Sequence, residues 1–224
     1  MNAIQSLISG WENLEALEMS NWREPDLAES QDIPPLSGKI QSLLLQRGQL
    51  TGPHLMRFVA GERSRLRELH LFDIKKLSNG ELLACLKAVA PTLSRVSIMH
   101  CTISTENELA IDAAMPELVA LRSLSIDDSC IGIPSIERKR STVPGKQVDG
   151  SVQIMEIFGK LSISPEGLAS AMHITGWAKI SLEPLGPAWT PAIVENIQKI
   201  ASERGIVFSC ATISNFTGEE FPFP

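Results

Sequence analysis

With 224 residues, 43 % of them hydrophobic and 21 % charged, the chain is long and apolar enough to fill a continuous core, and its composition argues against disorder over most of its length. A net charge of −6 and a pI near 5.3 argue against broad binding to nucleic acid or to an anionic membrane. No apolar run approaches the ~18 residues of a membrane span, and MNAIQSLISGWENLE lacks the basic start and apolar core of a signal peptide, so a cytoplasmic or nuclear setting is expected.

The residues before Leu14 suffice for one short helix. Either Ile4, Leu7 and Ile8 cap the structure that follows, or the chain is the C-terminal part of a longer product. From Leu14 onward an apolar-x-x-apolar-x-apolar spelling returns: Leu14, Leu17, Met19; Ile40, Leu43, Leu45; Leu66, Leu69, Leu71; Leu93, Val96, Ile98; Leu121, Leu124, Ile126. Two weaker copies follow, Val152, Met155, Ile157 and Trp177, Ile180, Leu182. The first five units are spaced by 26, 26, 27 and 28 residues, which signals a solenoid and outranks any local reading.

Each triplet is expected to form a short strand, and the segment after it a helix that returns the chain. Helix-start signals stand where this requires them: Thr51-Gly52-Pro53, Ser78, Ser104, Ser164-Pro165 and Thr190-Pro191. A hydroxyl at the N-cap accepts from an orphan amide, and proline in the first turn loses no bond. Ser78 with Glu81, and Thr105 with Glu108, have capping-box spacing. This role explains Ser164-Pro165 and Thr190-Pro191 without a proline-directed kinase.

One stretch breaks the pattern. GIPSIERKRSTVPGKQVDG, residues 132–150, has no helical periodicity and reads as a mobile insertion. Its Arg138, Lys139, Arg140 and Ser141 resemble a basophilic kinase site, although a solvated charged loop is the simpler reading. Phosphate on Ser141 would add about −1.5 to −2 within the one concentrated positive patch of the sequence.

LRELHLFDIKKLS, LSRVSIMHCTIS and LRSLSIDDSCIG resemble leucine-rich repeats, closest to the ribonuclease-inhibitor-like, cysteine-containing subtype. The fourth unit carries the full L-x-x-L-x-L-x-x-C-x-I spelling through Cys101 and Ile103. The fifth puts Ser129 and Ile131 there, the second Gly48 and Leu50, and the third Ile74 at the cysteine position. The texture of the units is similar to the repeat region of fungal F-box proteins. The resemblance implies an α/β horseshoe of about seven to eight units in a single domain, residues 1–224, with a parallel concave sheet and helices on the convex side. It also implies a non-enzymatic protein-binding module, the substrate-receptor region of a ubiquitin ligase. The F-box itself belongs upstream of the repeats in that family, and none is legible before Leu14.

Residues between the triplet positions should point to the concave side, because strand side chains alternate. Most are small or polar: Ala16, Glu18, Ser20, Ser42, Gln46, Glu68, Ser97, Ser123, Ser125, Glu156 and Lys179. Leu44, His70, Phe72 and Met99 stand out on three neighbouring strands, and with Arg95, Asp127 and Phe158 they form the candidate partner-binding face. Two alternatives stay open: a covering segment, or a strand phase displaced by one residue. A different reading makes the protein a structural or regulatory scaffold acting through the basic loop 132–150.

His70, His100, Cys101, Asp127 and Asp128 invite a catalytic or metal reading, but the spacing does not support one. No C-x-x-C, H-E-x-x-H, phosphate-binding loop or nucleophile elbow is present. Cys101 falls where a small side chain turns inward to the backbone, so a structural role is expected. Cys85, Cys101, Cys130 and Cys210 show no disulfide framework, in keeping with a reducing compartment. No enzyme activity, metal or cofactor is expected.

Overall fold

The computed structural model describes residues 13–21, 39–59, 65–103, 109–127, 153–158, 163–173, 175–183 and 188–211. Over these the chain forms strands β1 (Ala16–Ser20), β2 (Ser42–Gln49), β3 (Glu68–Lys75), β4 (Arg95–Met99), β5 (Ser123–Asp127), β6 (Ile154–Phe158), β7 (Lys179–Glu183) and β8 (Val207–Cys210). Helices α1 (Gly52–Val59), α2 (Asn79–Val89), α3 (Ala110–Ala114), α4 (Pro165–Met172) and α5 (Pro191–Glu203) alternate with them. All eight strands join one parallel sheet in sequential order, β1 to β8, a solenoid-like α/β arrangement.

The repeated leucines explain the register. Leu17, Leu43, Leu69, Val96, Leu124, Met155, Ile180 and Phe208 pair in one row across the sheet, and Met19, Leu45, Leu71, Ile98, Ile126, Ile157, Leu182 and Cys210 in a second. From β2 to β7 both rows are buried beneath the helices, whose apolar positions recur three and four apart: Leu55, Phe58 and Val59 on α1, and Leu82, Cys85, Leu86 and Val89 on α2. A one-residue slip would turn both rows to solvent, which fixes the phase. Strand β8 continues the array one unit beyond the last triplet, with Phe208 and Cys210 half-buried at the sheet edge.

The helix starts follow the sequence in three places. Ser78 and Glu81 form a capping box, and Ser164 and Thr190 accept from the amides of Gly167 and Ile193, each followed by proline in the first turn. At α1 the Thr51 hydroxyl bonds the His54 ring at 2.7 Å. The amide of Gly52 donates to Glu81 of the next unit. Helix α3 begins at Ala110, after Leu109, which makes no side-chain cap, and Ser104 lies outside the described residues. Its first amide, that of Ala110, donates to Asn79 Oδ1 at 2.8 Å. The first turn of α2 thus serves the helix ends on both sides of it. Thr105 and Glu108, the N-terminal residues 1–12 and the insertion 132–150 lie outside the described residues.

A backbone corner also repeats. Asn21 (φ 55°), Arg47 (51°), Asp73 (50°) and His100 (56°) are all left-handed, at the same place in successive units. For a residue with a side chain this costs about 1–2 kcal/mol, least for Asn, Asp and His. Hydrogen bonding offsets it: the Asn21 amide donates to the Gln46 carbonyl at 3.1 Å, and the His100 amide to the Asp127 carboxylate. Cys101 follows the corner in β4's unit, buried, with Sγ 3.5 Å from the carbonyls of Leu71 and Met99. That is the inward, structural position expected of it.

Candidate functional site: the open face of the sheet

The face turned away from the helices carries three rows of side chains, held in line by the parallel register. One runs Ala16, Ser42, Glu68, Arg95, Ser123, Ile154, Lys179, Val207. The middle row runs Glu18, Leu44, His70, Ser97, Ser125, Glu156, Ser181, Ser209. In the last, Ser20, Gln46, Phe72 and Met99 pair in succession, as do Asp127, Phe158 and Glu183. The strand phase read from the sequence is the phase of the structure.

Register sets Leu44 beside His70, and Phe72 beside Met99, all four partly exposed. The His70 and Phe72 rings, two residues apart on β3, stack with centroids 6.5 Å apart and planes within 5°. Ser97, next to His70, is buried. Around this centre the polar groups are tied together. Glu68 accepts from Arg95 at 2.9 Å and from the Ser42 hydroxyl at 3.3 Å, and lies 3.8 Å from His70 Nε2. Burial lowers the pKa of His70, and Arg95 adds to this, outweighing the opposing pull of Glu68. The imidazole is therefore neutral at pH 7 and stacks on Phe72 as an aromatic surface rather than a cation.

Of the residues singled out from the sequence, Leu44, His70, Phe72, Arg95 and Met99 come together on β2 to β4. Phe158 does not join them: it pairs with Asp127 on β5, two strands from Met99, roughly 10 Å by strand spacing. Asp127 is largely occupied within the fold, since its carboxylate accepts from the His100 amide at the backbone corner and lies 4.0 Å from the His100 ring. Arg138, Lys139, Arg140 and Ser141 lie outside the described residues. Two features of the face escaped the sequence reading. Val207, the most exposed large apolar side chain described, would have appeared on extending the repeat by one unit. The row of left-handed residues bordering the face was signalled by Asn, Asp and His recurring seven places after the first apolar residue of a unit.

No protein-family model and no curated protein matches this chain. Among the described residues no group of three or more His, Cys, Asp or Glu side chains is placed to hold a metal ion, and no helix is long and apolar enough to cross a membrane. What the face offers is a half-buried apolar centre, a neutral stacked imidazole and a border of hydroxyls and charges.

Proposed function

We propose that this chain is a leucine-rich repeat protein of horseshoe form, that its open face is the concave one, and that this face binds a protein partner without catalysis. The carrying observation is the register that gathers Leu44, His70, Phe72 and Met99 on neighbouring strands of a face made mostly of small polar and charged residues. An apolar centre inside a polar rim is the anatomy of a protein interface, and aromatic anchors dominate binding energy there. The resemblance of the units to fungal F-box repeats extends the proposal to a substrate-receptor region in ubiquitin ligation, working in the cytoplasm or nucleus.

The test is capture from a fungal lysate on immobilised wild-type protein and on the Phe72→Asp, Met99→Asp double variant, read by mass spectrometry. Specific proteins lost from the variant support the proposal; losing a hot-spot anchor costs about 2 kcal/mol or more, some thirtyfold in affinity. Matching captures overturn it. Both side chains are partly exposed, so the variant should keep its circular dichroism and unfolding midpoint, and Phe72→Ser provides a milder control.

A further inference from the structure

Carboxylates outnumber cations on the open face. Glu18, Glu68, Asp127, Glu156 and Glu183 stand against Arg95 and Lys179. Glu68 is neutralised by Arg95 and Asp127 is held at the backbone corner. Among the described residues Glu156 accepts a neutral hydroxyl, that of Ser125, at 2.8 Å, and neither it nor Glu18 nor Glu183 has an ion-pair partner. These three carboxylates lie on opposite sides of the apolar centre. Glu18 is on β1 beside Leu44, two strands and about 10 Å from Phe72; Glu156 is three strands away on the other side, about 14 Å, with Glu183 one strand beyond.

This pattern selects among occupants. Nucleic acid would meet like charge. A second copy docking face to face about a two-fold axis would set a net −3 against −3 across a poorly solvated gap. A cationic protein segment meets opposite charge at both ends and apolar surface in between.

Resting on the protein-binding reading above, we propose that the occupant is a basic segment with an apolar or aromatic anchor at Phe72 and Met99, and lysine or arginine on both sides of that anchor to pair with Glu18 and with Glu156 and Glu183. For an extended chain crossing the strands, the separations correspond to basic residues about three positions to one side of the anchor and four to the other. The carboxylates also steer the encounter, so association slows as salt rises.

The test is selection of random peptides displayed on phage against three baits: the full chain, Phe72→Ser, and the triple variant Glu18→Gln, Glu156→Gln, Glu183→Gln. Glutamine keeps shape and an acceptor oxygen, and an unchanged unfolding midpoint verifies each bait. The expected peptides carry Lys or Arg on both sides of an apolar anchor, are lost on Phe72→Ser, and bind the triple variant about tenfold more weakly. Peptides lost on Phe72→Ser but neutral or acidic beside the anchor overturn this inference and leave the face as a binding surface. Peptides indifferent to Phe72→Ser overturn both readings, and a selection that enriches nothing overturns the basic-segment inference.

Discussion

Two glycines one unit apart should respond to the same substitution with opposite signs. A Cβ added at Gly52, the first residue of α1, would lie 2.4 Å from both Cβ and Cγ of Glu81 on α2, and 2.7 Å from Cδ. Carbon atoms settle near 3.5–4.0 Å, so about an ångström must be found. Rotating Glu81 cannot supply it, because its own Cβ is among the clashing atoms; the two helix starts must separate. Separation strains a carboxylate that accepts from the Ser78 amide at 2.8 Å, the Ser78 hydroxyl at 2.7 Å and the Gly52 amide. Overpacking costs about 1–3 kcal/mol and a lost cap about 1, against a gain of about 0.4–1 for replacing a helical glycine by alanine. Gly52→Ala should therefore destabilise by about 2 kcal/mol net, lowering Tm by about 4–8 °C for a chain of this size. Gly80→Ala, in the first turn of α2, meets nothing within 4 Å and should stabilise by about 0.4–1 kcal/mol. Urea unfolding followed by circular dichroism, with calorimetry for Tm, reads both. A Gly52→Ala protein as stable as its parent would refute the close approach of α1 to Glu81.

The remaining predictions concern charge, the backbone corner and the thiols. Burial pushes the Glu81 carboxyl up, but its bonds to Ser78 and Gly52 outweigh this and hold it below 4.5, so its stabilising contribution is complete above 4.5 and fades as pH falls through the lower folded value. The stability difference between wild type and Glu81→Gln, from urea titrations along a pH series, should shrink on acidification; a gap that widens would contradict that sign. Asp127→Ala removes the acceptor of the His100 amide at a left-handed residue and should cost about 1–3 kcal/mol, while Asp127→Asn, which keeps an oxygen, should cost less. Burial pushes the Cys85 thiol up to about 12, and burial together with Glu183 raises Cys210. Under native conditions iodoacetamide should therefore label half-buried Cys210 slowly and spare Cys85 and Cys101 until urea unfolds the chain, as peptide mapping would show.

The strand ladder was legible because each inward position is written in the same apolar alphabet at nearly constant spacing. Even the weak triplet at Trp177, Ile180 and Leu182 pairs in phase with its neighbours. Strand β8 was less visible, because its inward residues are Phe208 and Cys210 at the end of an array and no leucine marks them. The helix starts show the limit more sharply. Ser78, Ser164 and Thr190 cap their own helices, a contact within four residues that a linear reading captures. Gly52 and Ala110 are satisfied by Glu81 and Asn79, about thirty residues away, a reach that no local motif records. On the open face, alternation alone places Leu44, His70, Phe72 and Met99 outward. It does not show that Asp127 folds back onto the backbone corner, or that Phe158 stands apart from the others.

Sequential strand order has a mechanical consequence. With β1 and β8 at opposite edges of the sheet, tension applied through the two ends of the ladder acts along the direction of the interstrand hydrogen bonds. The bonds of one strand pair then bear the load a few at a time, as in a zipper, instead of sharing it in shear. Extension should proceed as a sawtooth of small, similar events, each freeing one unit of about 26 residues and roughly 90 Å of contour. Such a protein yields progressively, like a strip of perforated paper, losing units from its edges while the strands between them remain folded.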